Sequence, residues 1–326
     1  MIRAAVIGCG LVGQKRARAL AGANLVACVD LDRSRAEDLA QNSKECTVFS
    51  DWSSVIRNDQ IDVVIVATPH NLLAEIAGAA VKVGKHVLVE KPGARNVDEL
   101  RSLISIAEPE DVHVRVGFNH RYHPAFRQAR ELVDSGKIGP LMFIRARYGH
   151  GGRKGYDSDW RARPEISGGG ELIDQGVHLI DLARWFLGEF EEIDGFTHTY
   201  FWEMPVDDNA FLLLKTKEKR VAFLHASWTE WKNTFSFEIY GRTGKLQIDG
   251  LGGSYGAERL TWYRMLPKMG PPETDVWEYP MEDDSWEFEM AEFLKDIRLG
   301  RVSEPGLHDA FATLKIVEQI YQGCSN

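Results

Sequence analysis

Residues 2–13 read IRAAVIGCGLVG, and this stretch decides the fold. A short apolar run, Ile2–Ile7, is followed by a G-x-G-x-x-G pattern at Gly8, Gly10 and Gly13, which opens a segment with helical spacing. Asp30 ends the next apolar run, about 20 residues further on, as in strand–turn–helix units that bind a dinucleotide. The three glycines allow a tight turn, close approach of a pyrophosphate to the backbone, and close packing of helix on strand.

The ligand expected at this turn is NAD. A helix N-terminus offers N–H groups and a positive dipole to phosphates, and the Asp30 carboxylate can accept hydrogen bonds from ribose hydroxyls. The charge of Asp30 repels the 2′-phosphate of NADP, but Arg33 lies close enough to accommodate one, so NADP remains the less favoured alternative. The residues assigned to the cofactor are Gly8, Gly10, Leu11, Val12, Gly13, Asp30, Thr68, Pro69, His70, Glu90 and Lys91. For His70, an ordinary solvated loop side chain is the alternative.

The arrangement of apolar runs divides the chain into two regions. Apolar runs alternate with helical segments up to Phe118, which predicts a parallel sheet with helices on both faces. Later strand-like runs follow one another through short turns, which is typical of a large, mostly antiparallel open sheet. We therefore expect an α/β protein with a doubly wound Rossmann domain over residues 1–118 and a second α/β domain over 119–326; the family resemblance given below makes the latter the substrate-binding and oligomerisation domain. In this arrangement the last helix can pack back on the Rossmann domain.

Composition and charge disfavour several classes of function. The 326 residues carry a net charge of −9, which disfavours binding of nucleic acid or an anionic membrane over the whole surface. None of the four cysteines forms a C-x-x-C pair, so neither a metal site nor a disulfide framework is expected. The N-terminal residues lack signal-peptide features and no apolar run has membrane-spanning length, so the cytoplasm is the expected location.

Three residues are candidates for catalysis: Lys91, Asp174 and His178. Lys91 stands in Glu90-Lys91-Pro92 after an apolar run, where an ammonium group can stabilise a developing alkoxide; simple neutralisation of Glu90 is the alternative. Asp174 and His178 are four residues apart and share one face of a predicted helix, where a histidine can accept the proton of an alcohol. Ordinary surface pairs are the alternative there. Gly168-Gly169-Gly170 before this helix predicts close approach of another chain or a ligand.

The order GCGLVG, ATPH, GKHVLVEKP, GFNHRYHP and GGGELIDQGVHLIDLARWFLG resembles the Gfo/Idh/MocA oxidoreductase family. The resemblance covers residues 1 to about 190. It implies hydride transfer between a sugar, cyclitol or related alcohol and bound NAD(P). By position it makes Lys91 the lysine that contacts the reacting hydroxyl, His178 the acid/base and Asp174 its partner in the D-x-x-x-H helix. It also implies a homodimer or homotetramer assembled through the open sheet.

The segment 145–163 is the expected source of substrate contacts because it concentrates basic and aromatic residues before the D-x-x-x-H helix. Basic groups in an acidic protein favour an anionic sugar, a sugar phosphate or a nucleotide sugar; salt bridges to nearby carboxylates are the alternative. The residues assigned to the substrate are Asn119, Arg147, His150, Arg153, Trp160, Arg161, Asp174 and His178.

Three functions remain open. The leading one is an NAD-dependent dehydrogenase. The second is a redox-neutral NAD-dependent glycosidase that oxidises its substrate transiently, eliminates the glycosidic group and reduces the product again. The third is a non-catalytic NAD(H)-binding protein, which the presence of Lys91, Asp174 and His178 argues against.

Overall fold

The computed structural model describes residues 1–41, 43, 45–268 and 270–324. These residues form two compact units. The first contains Met1–Phe118, Glu165–Gly168 and Trp286–Leu314. The second contains Asn119–Pro164, Gly169–Ser285 and the chain from Lys315 onward. The first unit thus takes in part of the region that the sequence analysis assigned to the second domain, including the first half of the last helix.

The first unit contains a parallel sheet of short, apolar strands. Its strands are β1 (Arg3–Ile7), β2 (Asn24–Val29), β3 (Thr47–Val48), β4 (Val63–Val66), β5 (His86–Glu90) and β6 (Val114–Gly117). They lie in the order β3-β2-β1-β4-β5-β6, and each neighbouring pair is parallel. All four residues of β4 are buried, as expected for a central strand covered on both faces. The predicted doubly wound sheet is confirmed.

Helices connect the strands of this unit. They are α1 (Leu11–Arg18), α2 (Arg33–Ala40), α3 (Trp52–Ile56), α4 (His70–Val81) and α5 (Val97–Ala107). The core between them is mainly small and β-branched, and Met290, Phe293 and Leu294 from near the C-terminus complete it. Because all the strands are parallel, the segments that follow them share one edge of the sheet, where ligands of such sheets bind.

The second unit contains the larger sheet. Its strands are β7 (Leu141–Gly149), β8 (Phe190–His198), β9 (Asn209–Thr216), β10 (Val221–Ser227), β11 (Thr234–Gly241), β12 (Gly244–Asp249), β13 (Glu258–Arg264) and β14 (Glu273–Tyr279). The order is β14-β13-β12-β11-β7-β10-β9-β8. The pair β7 and β10 is parallel, and the remaining neighbours are antiparallel. The predicted antiparallel sheet is confirmed, although β13 and β14 were not predicted.

The remaining helices are α6 (Pro124–Asp134), α7 (Pro164–Ser167), α8 (Val177–Leu187), α9 (Ser285–Leu299) and α10 (Leu307–Cys324). A π-helical turn, Leu172–Gly176, leads directly into α8. Alternation along β7 buries Ile144, Ala146 and Tyr148 towards α8 and exposes Arg145 and Arg147 on the other face. Within the described part of the chain, no helix combines the length and apolarity needed to cross a membrane.

Candidate functional site

The glycine turn after β1 has the geometry of a dinucleotide cradle. Gly8 has φ +92°, and a Cβ added there would lie 2.5 Å from the carbonyl oxygen of Ala67. A Cβ on Gly13 would lie 1.9 Å from the carbonyl oxygen of Gly8, so α1 packs directly against the turn. Gly10 differs, because its added Cβ would meet no described atom within 4 Å. That open space at the start of α1 fits a pyrophosphate.

Asp30 lies beside this turn, immediately after β2. Its carboxylate oxygens accept hydrogen bonds from the backbone N–H groups of Cys9 at 2.7 Å and Asp32 at 2.8 Å. These bonds fix the carboxylate at the glycine turn, where a ribose would lie. Arg33, the residue that left NADP open, pairs with Glu37 at 2.7 Å on the exposed surface of α2. This arrangement fits NAD better than NADP.

The segment after β4 contributes further residues to the candidate cofactor site. The Thr68 hydroxyl is buried and has no hydrogen-bond partner among the described residues, so it is suited to contact a bound group. Pro69 precedes α4, and His70 begins it. His70 is buried, with Nδ1 2.7 Å from the carbonyl oxygen of Ser167. Because a carbonyl only accepts, Nδ1 donates. The alternative of a solvated loop histidine is therefore wrong.

Lys91 follows β5 directly at the same edge of the sheet. The preceding Glu90 is buried and pairs with Arg16 of α1 at 2.6 Å. Arg16 also pairs with Glu289 at 2.5 Å, and burial raises the pKa of the Glu289 carboxyl. Arg16 thus provides Glu90 with a buried cationic partner that is not Lys91. Sequence analysis did not identify Arg16, because a cation on a helix usually lies in solvent.

In the second unit, Asp174 lies in the π-helical turn and His178 in the first turn of α8, and both are buried. The sequence pattern predicts one regular helix here. A π turn has i→i+5 backbone bonds and commonly marks functional sites. Asp181, one turn further on, pairs with Arg121 at 2.6 Å inside the protein, so it holds the helix in place.

His178 stacks on His120. Their ring centroids are 3.7 Å apart, with 17° between the planes. Asn119, which was assigned to the substrate, contacts two protein side chains through its amide. Its Nδ2 donates to Ser285 Oγ at 2.9 Å, and its Oδ1 lies 3.1 Å from His120 Nδ1. Tyr148 packs against both imidazoles, tilted relative to His120 and edge-on to His178. Burial raises the pKa of its phenol well above 10. His120 and Tyr148 were not identified from sequence, although His120 stands in the quoted GFNHRYHP segment.

Asp174 is held by Arg161. Arg161 Nε lies 3.0 Å from Asp174 Oδ2, and Arg161 Nη1 lies 3.2 Å from Asp159 Oδ1. The guanidinium also stacks over the ring of Trp160 at 4.5 Å. Asp174, Arg161 and Trp160, three of the residues assigned to the substrate, therefore form one contiguous group. Its polar atoms are carboxylate oxygens and guanidinium N–H groups, which suit hydroxyl-rich ligands.

His150 lies beside this group. Its Nδ1 accepts the backbone N–H of Gly152 at 2.8 Å, so the neutral ring carries its proton on Nε2. Burial lowers the pKa of His150, with Arg161 and Arg153 acting in the same direction and Asp174 opposing. At neutral pH, His150 is thus an uncharged hydrogen-bond donor at Nε2.

The rest of the basic segment is placed differently from the expectation. Arg147 lies on the exposed face of the sheet, opposite to Tyr148, because side chains alternate along β7. Arg153 is largely exposed and pairs with Asp159 at 2.9 Å, and Arg145 pairs with Glu238 at 2.5 Å. The assignment of Arg147 to a site with His178 is therefore wrong. For Arg145, Arg153 and Arg161, the salt-bridge alternative describes the observed contacts.

The triple glycine accommodates other parts of the chain. A Cβ on Gly168 would lie 2.3 Å from the carbonyl oxygen of Arg95. On Gly169 it would lie 2.2 Å from the Tyr321 hydroxyl, and on Gly170 it would lie 1.9 Å from the carbonyl oxygen of Asp207. The predicted close approach is confirmed, and the approaching groups belong to the protein itself.

Comparison with known proteins agrees with this geometry. Residues 2–118 match an oxidoreductase family with an NAD-binding Rossmann fold, and residues 126–247 match the GFO/IDH/MocA C-terminal domain. Inositol 2-dehydrogenase of Rubrobacter xylanophilus is 35% identical over 264 residues, which cover 78% of this chain and 73% of that protein.

Levoglucosan dehydrogenase of Pseudarthrobacter phenanthrenivorans is 31% identical over 224 residues, 60% of this chain. The match spans only 57% of that relative's own length. The solved structure of levoglucosan dehydrogenase in complex with NADH and levoglucosan has a TM-score of 0.89 at 24% identity, covering 99% of this chain and 97% of that chain. This similarity shows the shared fold. The sequence match, the two sheets and the NAD-binding turn together establish that the chain belongs to the GFO/IDH/MocA family of oxidoreductases.

Proposed function

We propose that this protein is an NAD-dependent dehydrogenase that acts on a CH–OH group of a neutral sugar or cyclitol. The observation that carries the proposal is the buried pair Asp174 and His178 on one helix, with Asp174 held by Arg161 at 3.0 Å. A buried carboxylate and imidazole at successive turns suit alcohol chemistry better than a structural role. The relatives named for inositol and levoglucosan support the substrate class.

The roles of the side chains follow from their chemistry. The Lys91 ammonium donates a hydrogen bond to the reacting hydroxyl and stabilises negative charge that develops on its oxygen. His178 accepts the hydroxyl proton, and its stacking on His120 holds the imidazole plane. Asp174 and Arg161 bind neighbouring hydroxyls and fix which carbon reacts. Bound NAD supplies the acceptor for the hydride that leaves this carbon.

The ion pairs of the basic segment favour a neutral substrate over an anionic one. Arg161 is engaged by two carboxylates, Asp159 and Asp174, and Arg153 is engaged by Asp159. An anionic ligand would have to compete with these carboxylates for the guanidinium groups. Polyols bind such a paired group through their hydroxyls without separating the charges.

We also propose that the protein is a homo-oligomer that pairs through the exposed face of the larger sheet. Phe196, Leu213 and Phe223 lie on this face and are each about half exposed. Exposed apolar side chains that cluster on one face are typical of protein interfaces. A second copy of the chain is the proposed occupant.

The test is NADH formation on mixing the protein and NAD with cyclitols, anhydrosugars, neutral aldoses, uronates and nucleotide sugars. A neutral cyclitol or sugar is expected to produce NADH, and uronates and nucleotide sugars are not. Lys91→Ala should lower kcat by about a hundredfold or more while NAD affinity changes little. Lys82→Ala, which removes an exposed lysine after α4, is the matched control and should keep wild-type kcat.

Two outcomes would contradict the proposal. Full activity of Lys91→Ala would remove the role assigned to that ammonium group. Cleavage of a glycoside without net NADH would instead identify the redox-neutral glycosidase.

A further inference from the structure

Three backbone N–H groups precede the catalytic aspartate and histidine, those of Gly170, Glu171 and Leu172. The first N–H groups of a helix have no carbonyl partner within the helix and need one from elsewhere. Here one residue satisfies all three. Asp207 accepts from Gly170 N at 2.9 Å and from Leu172 N at 2.8 Å through its two carboxylate oxygens, and from Glu171 N at 2.9 Å through its backbone carbonyl.

Tyr321 completes this arrangement. Its hydroxyl donates to Asp207 Oδ1 at 2.8 Å and accepts from Gly170 N at 3.2 Å. Asp207 is 7% exposed. A buried carboxylate loses its hydration, so the strength of these bonds depends on the donors remaining in place.

A backbone hydrogen bond connects the anchored turn to the catalytic helix, which is the π-helical turn Leu172–Gly176 together with α8. The carbonyl oxygen of Gly170 accepts from Asp174 N at 3.1 Å, so the residue held by Asp207 in turn holds the backbone of Asp174. Asp174 and His178 follow within the same turns. A shift of the first turn would therefore displace both side chains, and errors of about 1 Å in reacting groups are costly to catalysis.

We propose that Asp207 is a positioning residue, which anchors the first turn of the catalytic helix and thereby sets the placement of Asp174 and His178. The proposal rests on the function proposed above for these two side chains. Asp207 itself touches neither substrate nor cofactor in this scheme. Its hydrogen bonds restrict the conformation of the turn that contains Asp174.

The neighbouring Asp208 provides a matched control. Its carboxylate accepts three backbone N–H groups, those of Tyr200 at 2.9 Å, Phe201 at 2.8 Å and Trp202 at 3.1 Å. Asp208 is buried, as Asp207 is. The turn that it holds carries none of the candidate catalytic residues. Asp207→Asn and Asp208→Asn therefore make the same chemical change with different structural consequences.

In Asp207→Asn, an NH₂ group replaces one of the two carboxylate oxygens and faces a backbone N–H, so at least one hydrogen bond is lost in either orientation. We expect kcat for NADH formation to fall by at least about tenfold, with Kd for NAD within about twofold of wild type. Asp208→Asn should keep kcat within about twofold, even where it lowers Tm. Tyr321→Phe, which keeps both backbone bonds to the carboxylate, should lower kcat by less than Asp207→Asn does.

Hydrogen exchange of the folded protein provides a readout that is independent of activity. The amides of Gly170 and Leu172, which donate to the carboxylate, should exchange faster in Asp207→Asn and should be unchanged in Asp208→Asn. Equal kcat in the two asparagine variants, or unchanged exchange at these amides, would overturn the positioning role. If the wild-type protein produces no NADH with any substrate, the proposed dehydrogenase fails, while the exchange comparison still tests the anchor.

Discussion

At the scale of single residues, Gly10 and Gly13 belong to one motif but are glycines for different reasons, ligand binding and backbone packing. Gly10 has φ −69° and ψ −166°, which any residue can adopt, and open space where a Cβ would lie. Gly13 has the Gly8 carbonyl oxygen in that place. Gly10 thus leaves room for a ligand, and Gly13 serves the packing of the protein.

We therefore predict that Gly10→Ala keeps the fold but weakens NAD binding by about tenfold or more, because the methyl group occupies the pyrophosphate space. Gly13→Ala should lower Tm by several degrees, because α1 must move away from the turn. Calorimetry with NAD and thermal unfolding measure the two effects separately. A Gly10→Ala variant that unfolds at a lower temperature than Gly13→Ala would show that the assignment is reversed.

The sequence indicated which residues suit the chemistry better than it indicated what those residues contact. Lys91, Asp174 and His178 were proposed for catalysis from motif, spacing and the family resemblance. The partners Arg16 and Asp207 were not, because they lie far along the chain from Glu90 and Gly170 and belong to no local pattern. Arg147 was assigned wrongly, since a basic residue near a site does not reveal which face of a strand it occupies.

At the scale of elements, helix α5 (Val97–Ala107) begins at a residue that the local sequence determines, the N-cap Asn96. Asn96 Oδ1 accepts from Glu99 N at 2.9 Å, and the Glu99 carboxylate accepts from Arg95 N at 3.1 Å. This reciprocal arrangement resembles a capping box.

Asn96→Ala should lower the free energy of unfolding by about 1 kcal/mol, because the Glu99 N–H loses its acceptor. Urea unfolding provides the measurement. Asn96→Asp keeps an oxygen at the same position and adds a charge that suits the helix N-terminus, so it should retain wild-type stability. Equal losses in both variants would show that the cap does not stabilise α5.

The strands β13 and β14 were not predicted, and for β14 the burial of its side chains explains why. In β14 (Glu273–Tyr279) no residue is fully buried, so alternation of apolar and polar side chains is weak. β14 lies at the end of the sheet order, next to β13. Backbone pairing with β13, rather than a pattern of buried side chains, defines this strand.

At the scale of the whole molecule, the exposed face of the larger sheet carries the prediction about assembly. Phe223 of β10 lies opposite Leu213 of β9 in the sheet, and both side chains point away from the buried face. A charge placed among these side chains would be costly to bury between two copies.

Phe223→Lys should therefore shift the protein from oligomer to monomer in light scattering coupled to size-exclusion chromatography. Val302→Lys, at a largely exposed position in the first unit, is the control and should leave the molar mass unchanged. A wild-type protein that is monomeric at working concentration, or a Phe223→Lys variant with the wild-type molar mass, would contradict assembly through this face.

The sequence by itself determined the Rossmann domain, the cofactor and the candidate catalytic residues. These depend on short-range rules: glycine geometry in a turn, apolar periodicity, and the spacing of Asp174 and His178 along one helix. Only the tertiary structure decided what those residues contact, including the stacking of His120 on His178 and the anchoring of Gly170 by Asp207. The physical reason is that a side chain's burial and partners are set by segments that folding brings together, and no local pattern in the chain specifies them.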